Sequence, residues 1–267
     1  MRNLSQCCIV GLAVVLVFSS YAWSQDSVSA TYNKLEKAGP GGPTPRRDLT
    51  GFWLGPASQR VNQAPPMTAL GQQVFKTHKN DSDYTVAESN DPIKSCDPLG
   101  FPRNMVFQTR GLAIAQMPDR MIVMSMYNKV WREIWTDGRA LPKNVGGTDV
   151  NDPEPRWYGY SVGHWDGDYT FVVDSLGSDD RSWLDQEGHP HSDAMRVQER
   201  FKRVDHNTLE VEITIDDPKM YTKPFVLSTA RWRWAPEQNF EEEICAASVM
   251  KEYLSVIADP AAKGSGK

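Results

Sequence analysis

The sequence predicts an all-β protein in which an antiparallel meander closes into a barrel, with one or two short helices. Apolar and polar residues alternate with a period of two over eight or nine short runs between residues 105 and 234. Turn signals such as Asp166-Gly167 and Asp205-His206-Asn207 join the runs, so successive strands should be antiparallel neighbours. A sandwich fits the same pattern. No repeat of fixed period is visible, which speaks against a propeller or solenoid.

The strands are expected at nine places, with one helix before them. The predicted strands are Met105–Phe107, Leu112–Met117, Arg120–Tyr127, Lys129–Trp135, Tyr158–Trp165, Tyr169–Ser175, Ala194–Val204, Leu209–Asp216 and Ser228–Trp234. The helix is expected over Met67–Lys79, where Thr68 can cap the N-terminus and Leu70, Val74 and Phe75 share one face. Two turn-rich excursions, Pro142–Arg156 and Leu176–Asp193, are long enough to cap a binding site or wrap a barrel end.

Composition limits the function classes. The chain has 267 residues, of which 40% are hydrophobic, and a formal net charge of −5. These values exclude collagen-like and disordered chains, and they argue against a nucleic-acid surface because phosphate binding requires a basic stripe. One large domain is the simplest organisation.

The N-terminus is typical of a signal peptide over residues 1–24. Arg2 gives a positive start, residues 9–18 are almost wholly apolar, and Ala22 and Ser24 are small residues at the cleavage positions. The apolar run is too short to cross a bilayer, so we expect no integral membrane segment and a periplasmic or secreted protein. A flexible Gly/Pro linker is predicted over 25–47, one barrel domain over 48–258 and a disordered tail over 259–267.

Removal of the signal would leave two cysteines, Cys96 and Cys245. An even pair in an oxidising compartment predicts a disulfide, and two separate buried thiols are the alternative.

One carboxylate lies on an otherwise apolar strand face. Met195, Val197 and Phe201 alternate with charged residues, and Glu199 shares their face. A buried carboxylate must be paired or protonated, and a raised pKa suits general acid/base catalysis. The alternative is a structural ion pair with an inward arginine. Either Arg132 or Glu133 faces inward on its strand, and Arg132 is the natural partner of Glu199.

A second candidate face combines aromatic and ionisable groups. On Tyr158–Trp165 and the turn after it, the residues Tyr158, Tyr160, Val162, His164 and Asp166 alternate, and we expect them to face inward. His164 could then act as an acid or base, although a structural histidine is equally consistent. The candidate catalytic set is Glu199, His164, His191 and Arg132, and the candidate ligand-binding set is Tyr158, Tyr160, Trp165, Trp135 and Asp166.

Metal and cofactor signals are weak. His189-Pro190-His191 offers two imidazoles but no third ligand at useful spacing, so we expect no metal site. The glycine-rich motifs of nucleotide-binding proteins are missing, so no organic cofactor is expected.

Several motifs resemble those of a large family of secreted bacterial β-barrel proteins for which no activity is established. They cover most of residues 48–250 and are Asp48-Leu49-Thr50-Gly51-Phe52-Trp53, Cys96 to Arg103, Trp135 to Arg139, Tyr158 to Asp168, His189 to Ser192 with Glu199-Arg200, and Thr214 to Pro224. The resemblance implies a lipocalin-like fold and carries over no catalytic residue. The chain departs from the family pattern at Gly167-Asp168-Tyr169, where the family has threonine after the aspartate.

Three functions follow from these features. The first is a cofactor-independent lyase, hydratase or isomerase that moves a proton on a small apolar or aromatic molecule inside the barrel. The alternative is a non-catalytic carrier of a hydrophobic ligand. A carbohydrate-binding module is the third, and it would require exposed tryptophans, for which Trp183, Trp232 and Trp234 are the candidates.

Overall fold

The computed structural model describes residues 28–55, 66–81, 83–107 and 111–264, and nine strands within them close into one barrel. The strands are β1 (Gly51–Leu54), β2 (Gly111–Gln116), β3 (Arg120–Ser125), β4 (Trp131–Trp135), β5 (Tyr160–Asp166), β6 (Thr170–Leu176), β7 (Arg196–Asp205), β8 (Thr208–Asp216) and β9 (Phe225–Trp234). Each strand pairs with its neighbours in sequence, and β9 pairs with β1. The predicted barrel is confirmed.

The alternation of the long strands builds the core. On β7, Val197, Glu199 and Phe201 are buried while their neighbours point outward. Phe171 of β6 lies opposite Phe201, and Val211 of β8 lies opposite Phe201 on its other side. The inward apolar side chains belong to one cluster that contains residues of every strand except β5, whose Trp165 packs against it. Burial of this apolar surface is the main force that favours folding.

One predicted strand is a helix in the structure, and one observed strand was not predicted. Residues 103–106 form a short helix, α3 (Arg103–Val106), where a strand over Met105–Phe107 was expected. Arg103 is buried there and paired with Asp91, and this contact anchors the turn to the chain before it. Conversely, β1 has only four residues, which is too short for alternation to be recognised in the sequence.

One pair of neighbouring strands is parallel. β4 and β5 pair only through Ile134 with Ser161 and Trp135 with Val162. Residues 136–159 connect them, and the predicted excursion over Pro142–Arg156 lies within this connection. The prediction that all neighbours run antiparallel was therefore wrong at this seam.

The predicted helix is shorter than expected. α2 spans Ala69–Phe75, and the Thr68 hydroxyl accepts a hydrogen bond from the backbone N–H of Gly71 as predicted. Val74 packs against the core, whereas Leu70 is exposed, so the predicted apolar face is only partly correct.

Helices also lie at both ends of the described chain. They are α1 (Val28–Glu36), α4 (Ala247–Tyr253), a π-helical stretch (Leu254–Ala258) and α5 (Asp259–Gly264). α1 lies inside the predicted linker and packs on β9, where Glu36 pairs with Arg231. α5 lies inside the predicted tail. The predicted signal peptide lies outside the described residues. Among the helices that the structure describes, none is long and apolar enough to cross a membrane.

Cys96 and Cys245 form a disulfide, as predicted, with a sequence separation of 149 residues. Cys96 follows a 3-10 helix over Pro92–Ser95, and Cys245 stands just before α4. The bond therefore fastens the C-terminal helices to the chain that precedes β2.

Candidate functional site

A buried ion pair occupies the barrel interior. Glu199 is fully buried, and its Oε2 accepts a hydrogen bond from Nη2 of Arg132 on β4. The Arg132 guanidinium also stacks over the Phe101 ring at 4.0 Å from its centroid. Glu133 points outward to Arg120, 3.1 Å away. The sequence-based pairing of Glu199 with Arg132 is confirmed.

This pair is only partly satisfied. Burial raises the pKa of Glu199, and the charge and hydrogen bond of Arg132 lower it without cancelling the effect of burial. Oε1 of Glu199, and Nε and Nη1 of Arg132, are buried without a hydrogen-bond partner among the described residues. Oε1 is thus a position at which the carboxyl group can hold a proton.

His164 does not face Glu199. Ser161, Gly163 and Trp165 are the inward residues of β5, and His164 and Asp166 are exposed, so the predicted inward face was wrong. Ser161 Oγ lies 2.8 Å from Ser175 Oγ inside the barrel. A Cβ at Gly163 would lie 2.4 Å from the Phe171 ring, so the aromatic core residue requires glycine there.

The register shows that His164 and Glu199 lie on opposite sides of the barrel wall. Gly163 pairs with Val173, and Val173 pairs with Glu199, so these three residues share the inner face. His164, adjacent to Gly163, therefore points to the outside. Asp166 forms a surface ion pair with Arg200 at 2.8 Å, and Trp165 packs on Phe171 in the core. Neither is placed for ligand binding as predicted.

The other candidate histidine is buried in the loop between β6 and β7. Nε2 of His191 lies 2.9 Å from Ser182 Oγ. Burial lowers the pKa of His191, so the imidazole is neutral at pH 7. The preceding histidine, His189, lies 2.5 Å from Asp185. Burial lowers its pKa, but the hydrogen bond and charge of Asp185 outweigh burial and leave the pKa raised.

One group in the described part of the chain could offer three ligand atoms to a metal ion. Atoms of Asp185, Glu187 and His189 lie within 4.8 Å of one another. Asp185 also accepts hydrogen bonds from the backbone N–H groups of Glu187 and His189, which accounts for its place in the loop without an ion.

The lowered pKa of His191 predicts a loss of stability in acid. The unfolded chain takes up a proton near pH 6.5, whereas the folded protein does so only at lower pH. The free energy of unfolding therefore falls as the pH drops below about 6.5.

His191→Gln keeps a polar group for Ser182 and should remove up to about 1.4 kcal/mol per pH unit of this slope. Urea unfolding at pH 7.5, 6.5 and 5.5 measures it. His164→Gln, which makes the same substitution at an exposed position, is the matched control. Equal slopes in all three proteins would contradict the assignment.

A cavity of about 490 Å³ opens where β4 and β5 separate. Residues of both strand faces line it, since Arg132 and Ser161 face inward while Trp135 and Tyr160 face outward. The lining residues are Trp131, Arg132, Glu133, Trp135, Arg139, Ala140, Leu141, Pro142, Arg156, Trp157, Tyr158, Gly159, Tyr160, Ser161 and Val162. Five of these are aromatic, and Trp131 at the rim is 66% exposed.

Of the predicted ligand-binding residues, the structure brings Tyr158, Tyr160 and Trp135 together at this cavity, with Arg132. Glu199, His164, His191, Trp165 and Asp166 are not among its lining residues. Sequence reasoning missed Trp131, Trp157, Arg139 and Arg156. The one available signal was the Pro142–Arg156 excursion, whose two end residues both line the cavity.

Four arginines stack on aromatic residues of the cavity wall, and one of them is Arg181, which lies 4.4 Å from the centroid of Trp157. Arg120 and Arg139 lie 3.7 and 3.4 Å from the centroid of Trp135, and Arg156 lies 4.2 Å from that of Tyr160. Cation–π contacts of this kind hold planar side chains in place. The wall of the cavity is thus ordered by its own contacts.

The tryptophans proposed for a carbohydrate surface are not available for it. Trp183 and Trp232 are buried, and Trp234 stands edge-on to His206 at 4.6 Å. The three do not form an exposed flat face.

Two further cavities lie next to the one between β4 and β5. They have volumes of about 510 and 420 Å³, and Leu141 lines all three. The excursion that contains Leu141 therefore lies across the outer face of the barrel from β4 toward β8.

No protein-family model matches the chain, and no curated protein is significantly similar to it. The resemblance to secreted bacterial proteins drawn from the motifs stays a prediction.

Proposed function

We propose that this protein binds a small apolar or aromatic molecule in the cavity between β4 and β5, as a binding or carrier protein. The observation that supports this proposal is the aromatic-lined cavity at the one parallel seam of the barrel. Its volume of about 490 Å³ lies within the usual range for small-molecule sites, roughly 300–1,000 Å³.

The composition of the wall fits such a ligand. Trp131 and Tyr158 offer apolar surface, and backbone and side-chain polar groups such as Ser161 can fix an orientation. Apolar walls with a few placed polar groups are the common design of small-molecule sites. The residues that line the cavity belong to two strands and their connection, so the ligand would contact both sides of the seam.

Binding is favoured over catalysis because the predicted acid/base pair is not assembled. Arg132 holds Glu199, Ser182 contacts His191, and His164 lies outside the barrel. A general acid and a general base must both reach the substrate. Glu199, His191 and His164 do not line the cavity, and Arg132, the partner of Glu199, does.

Lyase or isomerase chemistry is the second candidate function, and one observation favours it. Burial raises the pKa of Glu199, and its Oε1 has no partner among the described residues. A carboxyl group with a raised pKa and an unpaired oxygen atom suits general acid/base catalysis.

A thermal-shift screen against apolar and aromatic compounds tests the proposal. Compounds that raise the melting temperature are titrated against the native chain and Trp131→Ala. Because Trp131 is exposed, its loss should leave the fold intact and weaken binding about fivefold or more. Tyr169→Ala, also at an exposed aromatic residue, is the control and should bind normally.

Mass spectrometry of the incubated compound separates the two functions. A compound returned unchanged supports binding, whereas conversion by the native chain but not by Glu199→Gln supports catalysis. Equal affinity of Trp131→Ala and Tyr169→Ala would show that the ligand binds elsewhere.

A further inference from the structure

Among the residues that the structure describes, the charges around the cavity between β4 and β5 leave one cation without a counter-ion. The lining contains three arginines, Arg132, Arg139 and Arg156, and a single carboxylate, Glu133. Glu199 pairs with Arg132, and Asp137 pairs with Arg139 through hydrogen bonds of 2.6 to 3.0 Å. Arg120 neutralises Glu133. Among the described residues, no carboxylate lies within ion-pair distance of Arg156.

Arg156 is held in a fixed position. Its backbone N–H donates to Gly177 O at 3.0 Å, and its carbonyl oxygen accepts from the N–H groups of Gly159 and Asp179, both at 3.0 Å. Its guanidinium carbon lies over the Tyr160 ring, 4.2 Å from the ring centroid. An arginine stacked in this way exposes the N–H edge of its guanidinium, which can bind an oxyanion through two parallel hydrogen bonds.

We infer that the ligand of this cavity carries an anionic oxygen group, such as a carboxylate, next to its apolar or aromatic body, and that Arg156 binds that group. This inference rests on the proposed function, because it specifies the class of ligand for the same cavity. The protein as a whole has a formal charge of −5, so a free arginine here would distinguish the site from the acidic remainder of the molecule.

A pair of fluorescent probes that share one skeleton tests the inference. 8-Anilinonaphthalene-1-sulfonate carries an anionic group, and N-phenyl-1-naphthylamine is its uncharged counterpart. Both are titrated against the full chain at low salt. We expect the sulfonate to bind about tenfold more tightly, because a hydrogen bond to a charged group contributes more than one between neutral groups.

Arg156→Gln should abolish this preference. The variant is expected to weaken sulfonate binding about tenfold and to change binding of the uncharged probe by less than twofold. Arg181→Gln is the matched control, because Arg181 also stacks on an aromatic residue of the wall, Trp157, but pairs with Asp179 and does not line the cavity. It should keep the native preference.

The possible outcomes are distinguishable. If both probes bind equally and Trp131→Ala weakens both, the proposed function stands and the inference about the anion is overturned. If the sulfonate binds tightly but Arg156→Gln does not weaken it, the anion is bound elsewhere and the inference is again overturned. If neither probe binds, the proposed function fails, and the inference fails with it.

Discussion

Arg132→Met is expected to destabilise the protein by about 3–5 kcal/mol, because it leaves the carboxyl group of Glu199 without its partner in the barrel interior. Both side chains are almost completely buried, so solvent cannot replace the lost contact. Glu199 must then stay charged in an apolar environment or take up a proton. Urea unfolding monitored by tryptophan fluorescence at pH 7 measures the change.

Two further variants show whether the ion pair is the cause. Arg132→Met combined with Glu199→Leu should recover most of the lost stability, since apolar residues of similar volume often replace a buried ion pair without cost. Arg200 is next to Glu199 on β7 and forms an exposed ion pair with Asp166. Arg200→Met removes the cation of this exposed pair and should have a much smaller effect on stability. If Arg132→Met were no more harmful than Arg200→Met, the pair would not be important for the fold.

Loss of the disulfide is the second large effect. Cys96 and Cys245 close a loop with a sequence separation of 149 residues. The loop-entropy model gives about 5 kcal/mol for a loop of this length, and measured losses are typically about 2–5 kcal/mol. Cys96→Ser with Cys245→Ser should therefore unfold at clearly lower urea concentration than the oxidised native chain.

Reduction provides the control for this experiment. Dithiothreitol should lower the stability of the native chain to that of the double variant and leave the double variant unchanged. A reduced chain as stable as the oxidised chain would mean that the packing around α4 alone holds the C-terminal segment in place.

Much of the barrel could be predicted because alternation over seven or more residues reports two faces directly. β7 and β8 were predicted nearly to their ends for this reason, and the isolated charge on the apolar face of β7 identified Glu199. Alternation does not show which face of a strand is inside when both faces carry polar and apolar residues. On β5, small residues face inward because Phe171 and Ser175 fill the space beside them, and this depends on a different strand.

The cavity could not be predicted for a related reason. It exists because residues 131–135 and 156–162 meet along a parallel seam with only two residue pairs. The sequence marks neither the direction of a strand nor the gap between two strands. Tyr158, Tyr160 and Trp135 were chosen for a cavity inside the barrel, and they line one that opens through its wall.

The number of strands makes this seam unavoidable. Around a closed ring, strand directions can alternate without interruption only if the number of strands is even, and this barrel has nine. One neighbouring pair must then run in the same direction, and here it is β4 with β5. The chain has to travel back along the outside before β5 can begin, and residues 139–142 and 156–159 of that return path line the cavity. An eight- or ten-stranded barrel with simple hairpins would have neither the return path nor the site.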